Sequence, residues 1–279
     1  TGNFKLDGGA MFGVVPKTIW SKTNPADHNN MCSWAMRCLL IEFEDKKILI
    51  DTGIGNKQSA KFFQYFYLHG EDTLLNSLKK INIQPDQITH VFFTHLHFDH
   101  CGGAIRKKQP PFKNPINEEF ELVFPNAIHL TNKEHWDLAN NPNQREKASF
   151  LKENFTLIAD QKKLHFIEEG ELFHNIQVRF FHGHTAAQMI PLIKTNNQTL
   201  VFMADLLPSI GHIPLPYIMG YDTQPLTTLK EKKIFLEEAV NNNYILFLEH
   251  DYNYECCTLQ TTKKGVRVDK YGTLEELLF

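Results

Sequence analysis

Within six residues the chain offers His95, His97, Asp99 and His100, three imidazoles and a carboxylate, directly after the run Ile88-Thr89-His90-Val91-Phe92-Phe93-Thr94. That β-branched and aromatic run predicts a strand. Residues two apart on extended backbone point to the same side, so His95 and His97 can grip one ion. Asp99 and His100 fall where the chain should turn into a helix, within reach of a second ion. Burying four such groups unpaired is costly, so the pattern predicts metal ligation rather than a solvated loop. Imidazole with carboxylate suits Zn, Fe, Mn or Co. Gly102 and Gly103 predict a close backbone approach behind the stretch. Cys101 reads as a small buried thiol.

Three later strand-like runs each end at a ligand-type residue. Val178-Arg179-Phe180-Phe181 leads into His182-Gly183-His184-Thr185. Leu200-Val201-Phe202-Met203-Ala204 leads into Asp205, and Ile245-Leu246-Phe247-Leu248-Glu249 into His250. Strand ends at one edge of a sandwich converge, as a polynuclear site requires. An earlier run, 47–50, ends at Asp51-Thr52-Gly53, a carboxylate held by a Gly turn.

Together these motifs resemble the metallo-β-lactamase-fold hydrolases, with their His-x-His-x-Asp-His stretch, Gly-His-Thr motif, bridging aspartate and final histidine. The resemblance implies an α/β fold, a four-layer αββα sandwich. It implies two divalent ions, with zinc as first choice and Fe, Mn or Co as alternatives. His95, His97 and His184 would hold the first, and Asp99, His100 and His250 the second. Asp205 would bridge them. Asp51 would orient the ligands from behind, and Thr185 would be a second supporting residue. Asp at 205 weighs against true β-lactamases, which commonly place a Cys there.

The spacing of His184, Asp205 and His250, the segment 7–13 and the loop 208–222 are most similar to N-acyl-homoserine-lactone lactonases and their methyl-parathion-hydrolase-like relatives. The implied reaction is hydrolytic opening of a lactone or ester by a hydroxide held between the ions, with Asp99 orienting it and passing on its proton. The alternative is phosphotriester or phosphodiester hydrolysis on the same ions. Two departures stand out. Some lactonases have a Tyr three residues after the bridging Asp, where this chain has Pro208; Tyr217 or Tyr221 could replace it. A second His often follows the Gly-His-Thr motif, where this chain has Gln188.

Strand and helix patterns alternate without a Gly-, Ser- or Pro-rich linker, so 1–279 reads as one domain. Helices are predicted over 59–68, 73–81, 133–139, 145–154 and 225–240, and a proline-rich loop over 106–117. Residues 1–30 read as an irregular N-terminal segment that lines the site or makes a dimer contact. Met11, Phe12, His212, Tyr217 and Tyr221 are candidates for the substrate pocket, with core packing the rival reading for Met11 and Phe12. His28, His69, His129, His135, His165 and His174 read as surface or capping residues.

A net charge of −3 gives no electrostatic case for nucleic acid or an anionic membrane. No apolar run approaches the roughly 20 residues of a membrane-spanning helix. The five cysteines are odd in number and lack a CxxC pair, which argues against a disulfide framework and fits a reducing cytoplasm. The expected partner is a small-molecule substrate, with a homodimer as the expected assembly.

Overall fold

The computed structural model describes residues 1–108, 120–195 and 197–278. The chain packs as two compact units, each built on its own sheet. The first comprises Thr1–Gly2, Cys38–Tyr65 and His69–Ile167; the second comprises Asn3–Arg37, Phe66–Leu68 and Glu168–Phe279.

The first unit holds a five-stranded sheet in the order Leu39–Phe43, Lys46–Ile50, His90–Phe92, Ile128–Thr131, Leu164–Phe166. The opening pair is an antiparallel hairpin and the remaining pairs are parallel. Parallel strands covered on both faces read as continuous apolar runs. Accordingly Ile48, Leu49, Ile50, Val91, Phe92 and Phe93 are all buried. Ile50 pairs with Phe92 in this parallel register. The turns carrying Asp51 and Thr94-His95 therefore leave the same end of the sheet. A core of Leu49, Val91, Phe93, Leu96, Phe124, Phe155 and Ile158 supports them.

The second unit holds a seven-stranded sheet in the order Gly170–Phe173, Ile176–Phe181, Gln188–Lys194, Thr199–Phe202, Ile245–Phe247, Cys256–Thr262, Gly265–Gly272. Only Thr199–Phe202 and Ile245–Phe247 run parallel, and the helix Pro225–Asn241 lies in the crossover that such a pair requires. Phe202 pairs with Phe247. Asp205 and His250 each follow those partners by three residues, so the register delivers both to one edge.

Several predicted elements change. The segment 1–30 contains the strand Asn3–Asp7, paired with Met31–Ala35, and the short helices Gly8–Phe12 and Lys17–Trp20. The first helix starts despite its glycines because Asp7 caps it, accepting from Ala10 N at 2.8 Å. Gly8 is required by packing, since a Cβ there would lie 2.3 Å from the Trp20 ring. The helix expected over 59–68 shortens to Ala60–Phe63. That expected over 145–154 is replaced by turns and a 3-10 turn at Lys152–Asn154, with the α-helix at Thr156–Asp160. There Asn143 Oδ1 takes the backbone N–H of Arg145 and Glu146 and sets a turn instead. The helices at 73–81, 133–139 and 225–240 form as Leu74–Lys80, Lys133–Asn140 and Pro225–Asn241. Arg106 lies in the strand Ile105–Lys107, and the proline stretch expected nearby lies within 109–119, outside the described residues. All five cysteines are free thiols. Among the described residues no helix is long and apolar enough to cross a membrane.

Candidate metal centre

In the first unit the ligand-type residues surround one buried carboxylate. Asp51 sits at φ +56, a left-handed conformation that Asp tolerates. Its Oδ1 accepts from Thr94 N at 2.8 Å, and its Oδ2 accepts from Thr94 Oγ1 at 2.6 Å. Oδ2 also lies 3.0 Å from His100 Nδ1. A carboxylate only accepts, so the Thr94 hydroxyl spends its proton on Asp51 and is left to accept from His95 Nδ1, 3.1 Å away. Both imidazoles therefore carry their proton on Nδ1 and turn an Nε2 lone pair outward.

His95 lies 4.5 Å from His97 and 3.9 Å from His100 between ring centroids. Asp99 Oδ2 is 3.8 Å from His100 Nε2. Asp99 and His100 occupy the short helix Phe98–Cys101, and all four ligand-type residues are buried.

The backbone behind this group is tightly drawn in. Thr52 donates to His100 O from both N and Oγ1. A Cβ on Gly102 would lie 2.2 Å from Ile54 O, and one on Gly103 2.1 Å from Thr52 O. The expected close approach is thus present. Cys101 is fully buried, its thiol donates to Leu96 O, and burial pushes it up to about 12.

The second unit presents its own group. Asp205 spreads its two oxygens between two histidines, with Oδ2 3.0 Å from His184 Nε2 and Oδ1 3.1 Å from His250 Nε2. Both Nδ1 atoms are engaged on the far side. His184 Nδ1 lies 3.0 Å from Asp222 Oδ1, and His250 Nδ1 lies 2.7 Å from Ala35 O. Burial opposes charge on His184, but Asp205 and Asp222 together outweigh it and carry the imidazole up to about 10. Gln188 Oε1 accepts from Asp205 N at 3.3 Å and is buried, and Thr185 is buried too.

In each group an imidazole gives its Nδ1 to a protein acceptor and turns Nε2 toward its fellow donors. Metal-ligating histidines typically give their other ring N–H to a protein acceptor in this way, which fixes the tautomer and the ring plane. The donor chemistry therefore fits divalent cations.

The remaining pocket candidates divide. Phe12 is fully buried, with His212 stacked on it at 4.4 Å and Trp20 at 5.3 Å. His212 is 1% exposed and bonded through Nε2 to Met11 O and through Nδ1 to Ser209 Oγ. Burial pushes its imidazole down to about 3. Met11 is 2% exposed. Tyr217 is half-buried and Tyr221 is exposed.

Two residues that sequence reasoning assigned no role support the groups. Asp222 holds His184, and His135 Nε2 accepts from Leu96 N, between His95 and His97, at 2.8 Å. His129 and His135 are both fully buried rather than surface residues, because their strand and helix turn them inward.

A family model described as the metallo-beta-lactamase superfamily matches residues 37–250, and the chain belongs to that superfamily. It is a metal-dependent hydrolase with the mixed α/β fold of that family. Among curated relatives, the N-acyl homoserine lactonase of Bacillus thuringiensis is 32% identical over 252 residues, 85% of this chain and 88% of its own length. The N-acyl homoserine lactonase of Bacillus cereus is 24% identical over 254 residues, with the same shares. Among solved structures, a "probable metal-dependent hydrolase" from Staphylococcus aureus is 30% identical with a TM-score of 0.83, covering 97% of this chain and 93% of that one. AidC, a dizinc quorum-quenching lactonase solved with the product N-hexanoyl-L-homoserine, shares the fold. It has 24% identity and a TM-score of 0.77, covering 96% of this chain and 91% of that one.

Proposed function

We propose that the protein opens the ring of N-acyl-homoserine lactones by hydrolysis, on two divalent cations, with zinc as the resident metal. His95, His97 and His184 would hold one ion, Asp99, His100 and His250 the other, and Asp205 would bridge them. One observation carries this reading. Asp205 offers one oxygen to His184 Nε2 and the other to His250 Nε2, at 3.0 and 3.1 Å, which is how a carboxylate shared between two cations divides itself. The relatives named as lactonases support the substrate class, and AidC's description as dizinc supports the metal. A mixed imidazole and carboxylate set is also suited to zinc.

Such cations, when bound, polarise a carbonyl oxygen and acidify water toward neutral pH. The chain's own residues do the rest. Asp222 and the Ala35 carbonyl hold protons on the Nδ1 atoms of His184 and His250, which fixes each tautomer and ring plane. Asp51 does the same for His100 directly, and for His95 through Thr94. Asp99 would take the proton of the attacking water and return it to the ring oxygen as the ester C–O bond breaks. Tyr217 or Tyr221 would donate to the substrate carbonyl in place of the tyrosine that Pro208 replaces. Five free thiols suit a reducing compartment, which supports a cytoplasmic location.

The test is turnover by the zinc-reconstituted protein of a short- and a long-chain acyl-homoserine lactone, beside p-nitrophenyl acetate and paraoxon, with Asp205→Asn as control. Lactone opening that Asp205→Asn abolishes is the expected result. Turnover of paraoxon with the lactones untouched would overturn the substrate class and leave the metal site standing.

A further inference from the structure

The helix Pro225–Asn241 carries two adjacent charged residues whose surroundings the proposed reaction does not explain. Glu231 is half-buried, and its carboxylate accepts from two successive backbone amides, His182 N at 2.8 Å and Gly183 N at 3.0 Å. Lys232 is 1% exposed, and its ammonium donates to Pro214 O at 3.0 Å and Tyr217 O at 2.9 Å. No carboxylate among the described residues pairs with it at ion-pair distance. An ammonium buried on two neutral carbonyls is expensive, and an apolar side chain of similar volume would stabilise the fold as well or better. Burial pushes Lys232 down to about 7, against an opposing pull from the Asp222 carboxylate.

The four contacted positions flank one hydrogen bond. His182 and Gly183 form the turn from which His184 projects. Pro214 and Tyr217 lie in the loop that ends at Asp222, the acceptor for His184 Nδ1. Successive residues on a helix point about 100° apart, so one turn of helix can grip two separate segments. The same helix end adds further ties to the first segment. Gln224 N donates to Gly183 O and Thr223 N to His184 O. Gly183 packs so closely on Thr228 that a Cβ would lie 2.4 Å from its backbone nitrogen.

We propose that Lys232 is a positioning residue for His184: with Glu231 tied to the turn that bears the histidine, Lys232 fixes the loop that brings Asp222 onto its Nδ1. This rests on His184 being a metal ligand. The lysine is placed to hold a carboxylate in register across a loop that has no regular secondary structure beyond the 3-10 turn Ile210–His212. Its action on the metal is indirect, through Asp222.

The experiment is a double-mutant cycle on the full-length protein loaded with cobalt. Lys232→Met, Asp222→Asn and the double variant are compared for cobalt affinity by chelator competition, for the visible absorption bands of bound cobalt, and for the melting midpoint of the metal-free protein. His184→Ala is the reference. The expected result for Lys232→Met is an affinity loss of about ten-fold or more and shifted cobalt bands, the range for residues that orient ligands. The metal-free midpoint should be held or raised. On the Asp222→Asn background the same substitution should cost less than about two-fold, since coupled residues are not additive. Unchanged affinity and bands in Lys232→Met, or losses that add across the cycle, would overturn the proposal while a loss in His184→Ala keeps the ligand assignment. Undiminished affinity in His184→Ala would overturn both. Should Lys232→Met fail to fold, Lys232→Gln carries the same cycle with the same expectations.

Discussion

His184 Nδ1 lies 3.0 Å from Oδ1 of Asp222, and Asp222 is 1% exposed. The histidine's other nitrogen faces Asp205, so one imidazole is gripped between two carboxylates. His250 makes the same kind of contact to the neutral carbonyl of Ala35. The charged acceptor is what distinguishes His184 from His250, and it raises the basicity of the ring. Asp222→Asn keeps an acceptor of the same shape without the charge. Metal affinity should fall about ten-fold, the lower end for such supporting residues, as read by competition with a chromophoric chelator. A change of less than two-fold would show that a neutral acceptor serves His184 as well as it serves His250.

Asp51 accepts three hydrogen bonds inside the first unit while fully buried. Asn tolerates its left-handed backbone, so Asp51→Asn tests the carboxylate and not the turn. One Asn oxygen cannot serve all three donors, and the amide N–H₂ would face a donor. The metal-free protein should lose about 2–4 kcal/mol, somewhat above the range for leaving one buried donor unsatisfied. Urea denaturation in chelator measures it. A loss under about 1 kcal/mol would mean the donors find other acceptors.

Gly102 has no room for a side chain, because the obstacle is the backbone carbonyl of Ile54 and not a movable side-chain end. Gly102→Ala must push the loop after His100 away from the turn after Asp51. The expected outcome is a protein that folds poorly or binds metal at least ten-fold more weakly, while Gly265→Ala, in the hairpin turn between Cys256–Thr262 and Gly265–Gly272, retains metal affinity. Normal metal affinity in Gly102→Ala would show that the two turns can separate freely.

The elements that the sequence announces are those set by local pattern. Short β-branched runs ending in a ligand-type residue became strands at His90–Phe92, Thr199–Phe202 and Ile245–Phe247. The strand Gln188–Lys194 has no such signal because Pro191 sits in its middle, paired with Val178, where proline normally argues against a strand. The helix expected over 145–154 failed for a tertiary reason as well as for the local Asn143 turn. Ser149 O takes the Phe98 amide, and the Phe150 ring packs on His97 at 4.8 Å and His135 at 5.6 Å. Asp222 and His135 were invisible as supports because their partners lie 38 and 39 residues away, with no periodicity linking them.

Phe12 lies between Trp20 and His212 and is fully buried. Phe12→Ala should therefore act on stability, at about 3–5 kcal/mol for a large aromatic removed from a packed core. Thermal or urea unfolding reads the loss. At a temperature where the variant is folded, KM for short- and long-chain lactones should change by the same factor. A selective rise for long chains would put Phe12 against the acyl chain after all.

Lys57 gives a pH dependence whose sign can be worked out. It is 3% exposed, donates to Gly102 O, and burial pushes it down from 10.5 to about 8. Below about pH 8 both the folded and the unfolded chain hold the proton, and the folded state bears the full cost of a buried charge. Between about 8 and 10.5 the unfolded chain keeps a proton that the folded chain has lost, so stability from this group rises with pH. The rise levels off above 10.5. Its full size is on the order of 3 kcal/mol, from the shift at about 1.4 kcal/mol per unit. Lys57→Met removes the titrating group and keeps most of the packing. The stability of the wild type relative to Lys57→Met should therefore climb between pH 8 and 10.5 and be flat from pH 6 to 7. Parallel denaturation curves across the whole range would show that the ammonium is solvated in the folded protein.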